Sequence, residues 1–456
     1  ILIITLSKTL KNYFRFPLND SAVYFYFGDF YLQKKSKYDE RNLLSNKPLR
    51  FHSFFVYFFF KVFPRNFILK KSFFPNLMLF ILGIFLFFNY LFYINFNIHS
   101  ITYIILILIF LPENIFFREW NINFISFSPR LLVILTNSFY WLLYLNINKS
   151  DFHLIYIIVI ILGVISLFLS NFSRQSFVIS NILFSIIDLS FNLYFIISIF
   201  LFFIVSPKKN FSLFYNQLLI FKWQSKRFFS KKLFNFITIK QNILTPIILF
   251  LLLIITFENK SYFNFFLVLT IIYIFTSLNF FSSIGENWRY ITVNYFFIAP
   301  IVLYDFITNN KIFEINFFLI LILHFFILIL LNYNIRSLDK NSKSVHDLVK
   351  LNSEVKQKLK NARWYGAPFV TPVYMMNIKL GEGMLFFNKG EYDREIINPE
   401  IFPYIEFKDE IINNFNITHS IIHKDHLQNV IKKANFDLKK DKILCETKNF
   451  LIYEII

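Results

Sequence analysis

An acid placed just outside an apolar segment can take a proton from a nucleophile, and Asp20 is the first residue so placed. It stands in Phe16-Pro17-Leu18-Asn19-Asp20-Ser21-Ala22-Val23-Tyr24, near the head of a polar region, 7–73, that continues through Gly28-Asp29 to Lys47-Pro48-Leu49-Arg50-Phe51-His52. Asp20 is equally suited to cap a helix starting at Ser21, and the two roles are compatible. The second constellation is Gly285-Glu286-Asn287-Trp288-Arg289-Tyr290. Glu286 and Arg289 share a helical face at i,i+3, and the planar guanidinium fork suits phosphate oxygens. Trp and Tyr at such a place also serve as an interfacial anchor. Arg130, in Ser126-Phe127-Ser128-Pro129-Arg130, and Arg174, in Ser173-Arg174-Gln175, lie at the ends of apolar runs. An arginine there reaches a lipid phosphate or snorkels as an anchor.

Asp188 and Asp305 fall within or near the ends of apolar runs, where an acid is a functional hypothesis in itself. Asp188 reads as a transporter-type acid, Asp305 as a boundary residue. His419, His423 and His426 are close in sequence, but on a strand His419 and His423 stand about 13 Å apart, too far to share one ion. A single cysteine, Cys445, excludes an intramolecular disulfide and a multi-cysteine metal site.

The elements that must position these residues are apolar helices. Over 456 residues, 56% are hydrophobic and 21% aromatic, more than a soluble domain of ordinary usage carries. The 68 Phe and few Gly also reflect AT-rich codon usage, so single phenylalanines say little. Crossing about 30 Å of hydrocarbon takes about 20 apolar residues. The runs 74–95, 152–170, 177–206, 261–281, 291–307 and 314–333 qualify; 100–111, 131–145 and 243–257 are short spans or broken helices, and 51–63 is interfacial. The expected fold is mainly α: a polytopic transmembrane helical bundle of about nine to eleven helices, 1–335, with a small C-terminal α/β domain. Ile1–Leu6 is too short an apolar run to span, so the chain is expected to be a fragment lacking most of a first helix. The net charge of +19 sits in loops between the runs, which points to anionic membrane lipids or lipid-linked phosphates and away from nucleic acid. The acid-free stretch 206–242, interleaved with Phe, Leu and Trp223, predicts an amphipathic helix on an anionic cytoplasmic surface.

Beyond about residue 335 the pattern changes. A polar helical linker, 336–365, leads to a soluble α/β domain, 366–456, with strands predicted at 368–376, 383–388, 417–423, 442–447 and 449–455 and a helix at 425–436. Asp425 is the predicted N-cap of that helix, Gln428 completes a capping box, and the last two strands pair as a hairpin around Lys448-Asn449.

Asn19-Asp20-Ser21-Ala22-Val23-Tyr24, outside a first helix, resembles the Asp-Asp-Ala-Tyr-like acids of the GT-C class of membrane glycosyltransferases, the polyprenyl-phosphate-sugar enzymes that include protein mannosyltransferases and the lipid A aminoarabinose transferase. Asn19 replaces the usual first acid. Arg289-Tyr290, followed by an apolar run containing Pro300, is similar to the Arg-Tyr mouth of a late helix in several such families. Glu113, after Pro112, lies where that class places a further active-site acid. The resemblance implies transfer of a sugar from a polyprenyl-phosphate donor to a lipid, glycan or protein acceptor at the outer face of a bacterial inner membrane, with no cofactor and with a divalent metal left open. Asp20 and Glu113 would be catalytic; Arg289, Glu286, Arg130 and Arg174 would hold the donor phosphate. The rival expectations are a multi-pass transporter or flippase, or a non-catalytic membrane subunit of a complex.

The charge pattern and the resemblance imply opposite sidedness. A cytoplasmic 206–242 makes the Arg-Tyr mouth and the tail cytoplasmic as well, whereas the resemblance puts both on the outer face. One further pass reconciles them, and the thirty residues 177–206, about 45 Å as a helix, are long enough to contain a break near Asp188.

Overall fold

The computed structural model describes residues 25, 59, 61–64, 67, 74–110, 130–147, 154–205, 207, 211, 214–215, 217–218, 244–278, 281, 287–309, 345, 347–368, 370–383, 404, 406–436 and 441–455. These are mainly helical with one small sheet. The chain divides into two compact units, one of 76–124 with 129–335, the other of 336–456 grouped with 1–75 and 125–128.

The first unit is built of α1 (Phe74–Tyr93), α2 (Ile98–Phe110), α3 (Arg130–Leu145), α4 (Leu154–Leu169), α5 (Asn171–Asp188), α6 (Leu193–Val205), α7 (Leu244–Ile255), α8 (Lys260–Ser277), α9 (Asn287–Tyr295) and α10 (Ile298–Asn309). Two of them, α1 and α8, are long and apolar enough to cross a membrane, and α9 with α10 makes a third candidate if the bent pair is one span. The bend is 69°. It falls at Phe296-Phe297, where the Phe297 N–H leaves the helical ladder and donates to Ser138 Oγ at 2.8 Å. Pro300 then sits in the first turn of α10, where its missing N–H costs nothing.

The run 177–206 is two helices, with the break expected near Asp188. α5 stops at Leu189, in the left-handed region at φ 52°, and α6 begins at Leu193. Buried Asn192 holds the interruption together. Its side chain accepts from Phe195 N (3.1 Å) and donates to Asn181 Oδ1 (2.7 Å) and to the Tyr140 hydroxyl (3.0 Å). At the other end, Ser170 caps α5 in extended conformation, its hydroxyl accepting from Ser173 N. α4 and α5 fold back on one another about Ser170, so that Gly163 and Phe177, equally far from it, lie face to face. A Cβ on Gly163 would stand 3.0 Å from the Phe177 ring and 2.9 Å from Ser198 Cβ, so only glycine lets α4, α5 and α6 approach this closely. α5 thereby lies at the centre, against α3, α4, α8 and α9.

The tail holds a five-stranded sheet in the order β2-β1-β3-β5-β4. β1 (Arg363–Ala367) runs parallel to both β2 (Glu382–Gly383) and β3 (His419–His423), while β5 (Phe450–Ile455) is antiparallel to β3 and to β4 (Asp441–Glu446). Around it lie α11 (Ser353–Leu359), α12 (Thr371–Asn377), α13 (Asp409–Phe415) and α14 (Leu427–Ala434). Leu348, Leu359, Trp364, Met375, Ile421 and Ile452 are buried in one cluster, and the Trp364 indole donates to Leu380 O at 2.7 Å. The core of the tail therefore begins upstream of residue 366.

Strands β3, β4 and β5, and the hairpin at Lys448-Asn449, fall where the sequence predicts them. The predicted strand 368–376 does not form: the strand is 363–367, and 371–377 is α12, because Pro372 at a helix first turn fixes a helical φ. The capping box at Asp425 is not made either. His423 Nδ1 accepts from Asp425 N at 3.3 Å to open a 3-10 turn, Lys424–His426, and α14 follows without a side-chain cap. Of 383–388 only Gly383 is described, and 314–333 and most of 51–63 lie outside the described residues.

Candidate functional site

Ser173, Ser176 and Ser180 recur at i, i+3 and i+7 on α5, and Arg174, Gln175 and Asn181 flank them; all six are buried although most of the surrounding unit is apolar. Such side chains persist in an apolar interior only where each finds a partner, and the partners here come from several helices.

Arg174 is the charged member and is 2% exposed. It occupies the first turn of α5, a poor place for a cation beside that helix's own dipole. The guanidinium instead reaches back across Ser170, where its Nε donates to Leu167 O in the last turn of α4 at 3.0 Å, a carbonyl at the negative end of that helix. Nη1 donates to Asn171 Oδ1 (3.1 Å) and to Gln217 Oε1 (3.2 Å). The rings of Phe202 and Phe214 lie 5.8 and 5.5 Å from the guanidinium carbon. Among the described residues no carboxylate lies within ion-pair distance of it.

The cluster extends through amides. Gln217 Nε2 donates to Asn171 O (2.9 Å) and to Gln175 Oε1 (3.3 Å), and Gln175 Nε2 donates to the Tyr290 hydroxyl. Tyr290 is fully buried in α9, its ring edge-on to Phe172 at 5.1 Å. One turn along α9, Asn294 donates to Ser176 Oγ (3.0 Å) and to Tyr290 O (2.7 Å) and accepts from the Trp141 indole (3.1 Å). The Ser173-Arg174-Gln175 and Arg289-Tyr290 motifs, 115 residues apart between Gln175 and Tyr290, thus share one buried polar centre. Arg289 stands in α9 immediately before Tyr290, half-buried, and Arg130 is the first residue of α3. Asp20, Glu113 and Glu286 lie outside the described residues.

Asp188, the last residue of α5, accepts from Asn264 Nδ2 of α8 at 2.8 Å. Asp305 is exposed in α10. In the tail, the His423 and His426 rings are 5.6 Å apart, His423 Nδ1 is 3.8 Å from the Asp425 carboxylate, and His426 Nδ1 shares a 2.8 Å hydrogen bond with the Tyr404 hydroxyl. Burial holds His419, His423 and His426 below the usual imidazole range, with Glu454 pulling His419, and Asp425 the other two, the opposite way. Among the described residues no three metal-ligating side chains converge.

Sequence reasoning singled out Arg174, Arg289 and Tyr290 but not Gln217, Asn294 or Trp141. The serine spacing on α5 was the available signal for a polar face. Gln217 had none, since its partners are 40 and more residues away. No family model matches the chain, and no curated protein or solved structure is similar to it.

Proposed function

We propose that this chain is a polytopic integral membrane glycosyltransferase, moving a sugar from a polyprenyl-phosphate donor to a lipid, glycan or protein acceptor. The observation that supports the reading is the Gln175–Tyr290 hydrogen bond, which puts the arginine motif of α5 and the Arg-Tyr motif of α9 in one buried centre. A guanidinium held in such surroundings, as Arg174 is, suits a leaving phosphate, whose charge grows as the sugar departs. Asp20 takes the acceptor proton, with Glu113 as a second acid, and Arg289, Glu286, Arg130 and Arg174 serve the phosphate. The reading calls for no cofactor, and a nucleic acid has no part in it. The bundle of about nine to eleven helices lies in the inner membrane of a bacterial cell envelope, with 366–456 outside the cytoplasm. The break at Leu189–Asn192 offers the additional reversal that sidedness requires.

Full-length chain in vesicles, supplied with radiolabelled polyprenyl-phosphate sugars, should release polyprenyl phosphate and label an acceptor lipid. Asp20→Asn should lower that rate by about 10²- to 10⁴-fold with insertion intact, and Arg289→Ala should act mainly on donor KM. Asp20→Asn at the parental rate sinks the reading. A transport reading is favoured by Asp188, held by Asn264 at a helix break. In that case Asp188→Asn, and not Asp20→Asn, should stop movement of a lipid-linked solute across the vesicle.

A further inference from the structure

A buried guanidinium surrounded by neutral acceptors gains from an anionic oxygen: removal from water costs several kcal/mol, and amide oxygens compensate less than an anionic oxygen does. Arg174 has these surroundings among the described residues. Two of its three acceptors, Leu167 O and Asn171 Oδ1, belong to the α4–α5 turn that carries it. The third, Gln217 Oε1, comes from a separate segment, 43 residues further along the chain. The orientation of that amide is fixed by chemistry, because arginine only donates and Asn171 O only accepts, so Oε1 must face Arg174 and Nε2 must face Asn171. The described residues around Gln217 are helical, and they expose Phe211, Tyr215 and Leu218 while Phe214 covers the guanidinium. Lys208 and Lys209 precede them in a stretch without one acid.

We infer that the Gln217 amide is an exchangeable plug: its Oε1 stands where an oxygen of a lipid-borne phosphate monoester binds Arg174, and it withdraws when that headgroup enters. This rests on the reading of Arg174 as part of the donor phosphate site, and adds the group that the phosphate displaces. The ligand is a phosphate carried on a lipid, because the segment that must move exposes apolar side chains suited to acyl or prenyl chains and is preceded by basic residues suited to headgroups. No covalent step is involved; one charge-assisted hydrogen bond is exchanged for a stronger one.

The test is equilibrium binding of radiolabelled farnesyl phosphate, with inorganic phosphate as a parallel probe, to the full chain in phosphatidylcholine vesicles. Gln217→Ala removes the competing oxygen and should bind farnesyl phosphate roughly tenfold more tightly, the equivalent of one charge-assisted hydrogen bond. Gln217→Glu supplies a resident anion and should bind at least tenfold more weakly. Arg174→Gln should lose binding, and Arg174→Lys, which keeps the charge and controls for folding, should retain part of it. Gln217→Ala binding no more tightly than the parent, with Arg174→Gln still losing binding, overturns the plug and leaves the donor site standing. Equal binding by Arg174→Gln and the parent overturns both the plug and the donor-site role of Arg174. Equal affinity for inorganic phosphate overturns the lipid assignment. Sugar transfer absent from a parent that binds farnesyl phosphate removes the transferase reading alone.

Discussion

The helical unit and the tail differ in what they enclose and in what they expose. In the tail, a small set of apolar side chains, Trp364, Ile421, Phe450 and Ile452 among them, is buried in one cluster on the sheet. The helical unit also buries apolar side chains, Trp141, Phe177 and Phe265 among them, but encloses Asn181, Asn192, Gln175 and Asn294 together with them, while Ile81, Phe85, Ile157 and Phe250 face outward. Read as a bundle in lipid, that unit gains nothing from hiding apolar surface, and its helices are specified by close approach and by satisfied polar pairs. The same residue types therefore have different value in the two regions, and substitutions can measure the difference.

The largest effect is expected in the tail. Trp364→Ala removes a fully buried indole and leaves a cavity, at a cost of about 3–5 kcal/mol. Amide exchange in the intact chain should then accelerate in β1, β3 and β5 peptides and stay unchanged in α3–α5. Next comes close approach in the helical unit: Gly163→Ala forces a methyl against Phe177 and Ser198 and should cost about 1–3 kcal/mol, read as a lower detergent-unfolding midpoint. Asn192→Ala deletes a buried group with three hydrogen bonds, yet should cost only about 0.6–2 kcal/mol, since polar pairs in lipid have alternatives in the unfolded state. An Asn192→Ala cost equal to that of Trp364→Ala would break the comparison.

The smallest effect is a pH dependence confined to the tail. Burial lowers the pKa of His419, His423 and His426 in the folded tail, so below the ordinary value of 6.5 the unfolded chain binds protons more readily. Their contribution to stability is complete above that value and is lost as pH falls from it through the folded pKa values. Exchange in β3 and β5 peptides should quicken, after correction for intrinsic rates, between pH 7 and pH 5. A tail whose protection rises on acidification would contradict the burial of these rings.

Where described, the apolar runs are helices and the last three strands form, because each is a local pattern: uninterrupted hydrophobicity, or alternation bounded by turn residues such as Lys448-Asn449. Of the runs read as spans, however, among the described residues only 74–95, 261–281 and, as a bent pair, 291–307 give helices long and apolar enough to cross; 152–170 and 177–206 give shorter or more polar helices. The helix break near Asp188 was legible from length alone. What misled was local chemistry with two outcomes. Thr371-Pro372 lies in a stretch of β-compatible residues, and the choice of helix is made by proline's φ and by the Thr371 hydroxyl reaching Ile421 O in the neighbouring strand. Asp425 and Gln428 have the spacing of a capping box, but His423 already accepts from the Asp425 N–H. The polar centre was half legible. Arg174 and Arg289-Tyr290 stand out in an apolar chain, whereas Gln175–Tyr290 and Trp141–Asn294 join residues 115 and 153 apart, a relation with no local signature.

That separation also sets an order of events during synthesis. Gln175 and its α4–α5 hairpin leave the ribosome 115 residues before Tyr290, which at 5–20 residues per second is a wait of about 6 to 23 s. Over that interval Arg174 has its hairpin acceptors but the Gln175 amide lacks its tyrosine, and Trp141 waits longer still for Asn294. The centre is therefore closed last, by the arrival of α9. A ribosome stalled between residues 190 and 285 holds a half-built polar face, a species on which chaperones and quality-control proteases would act.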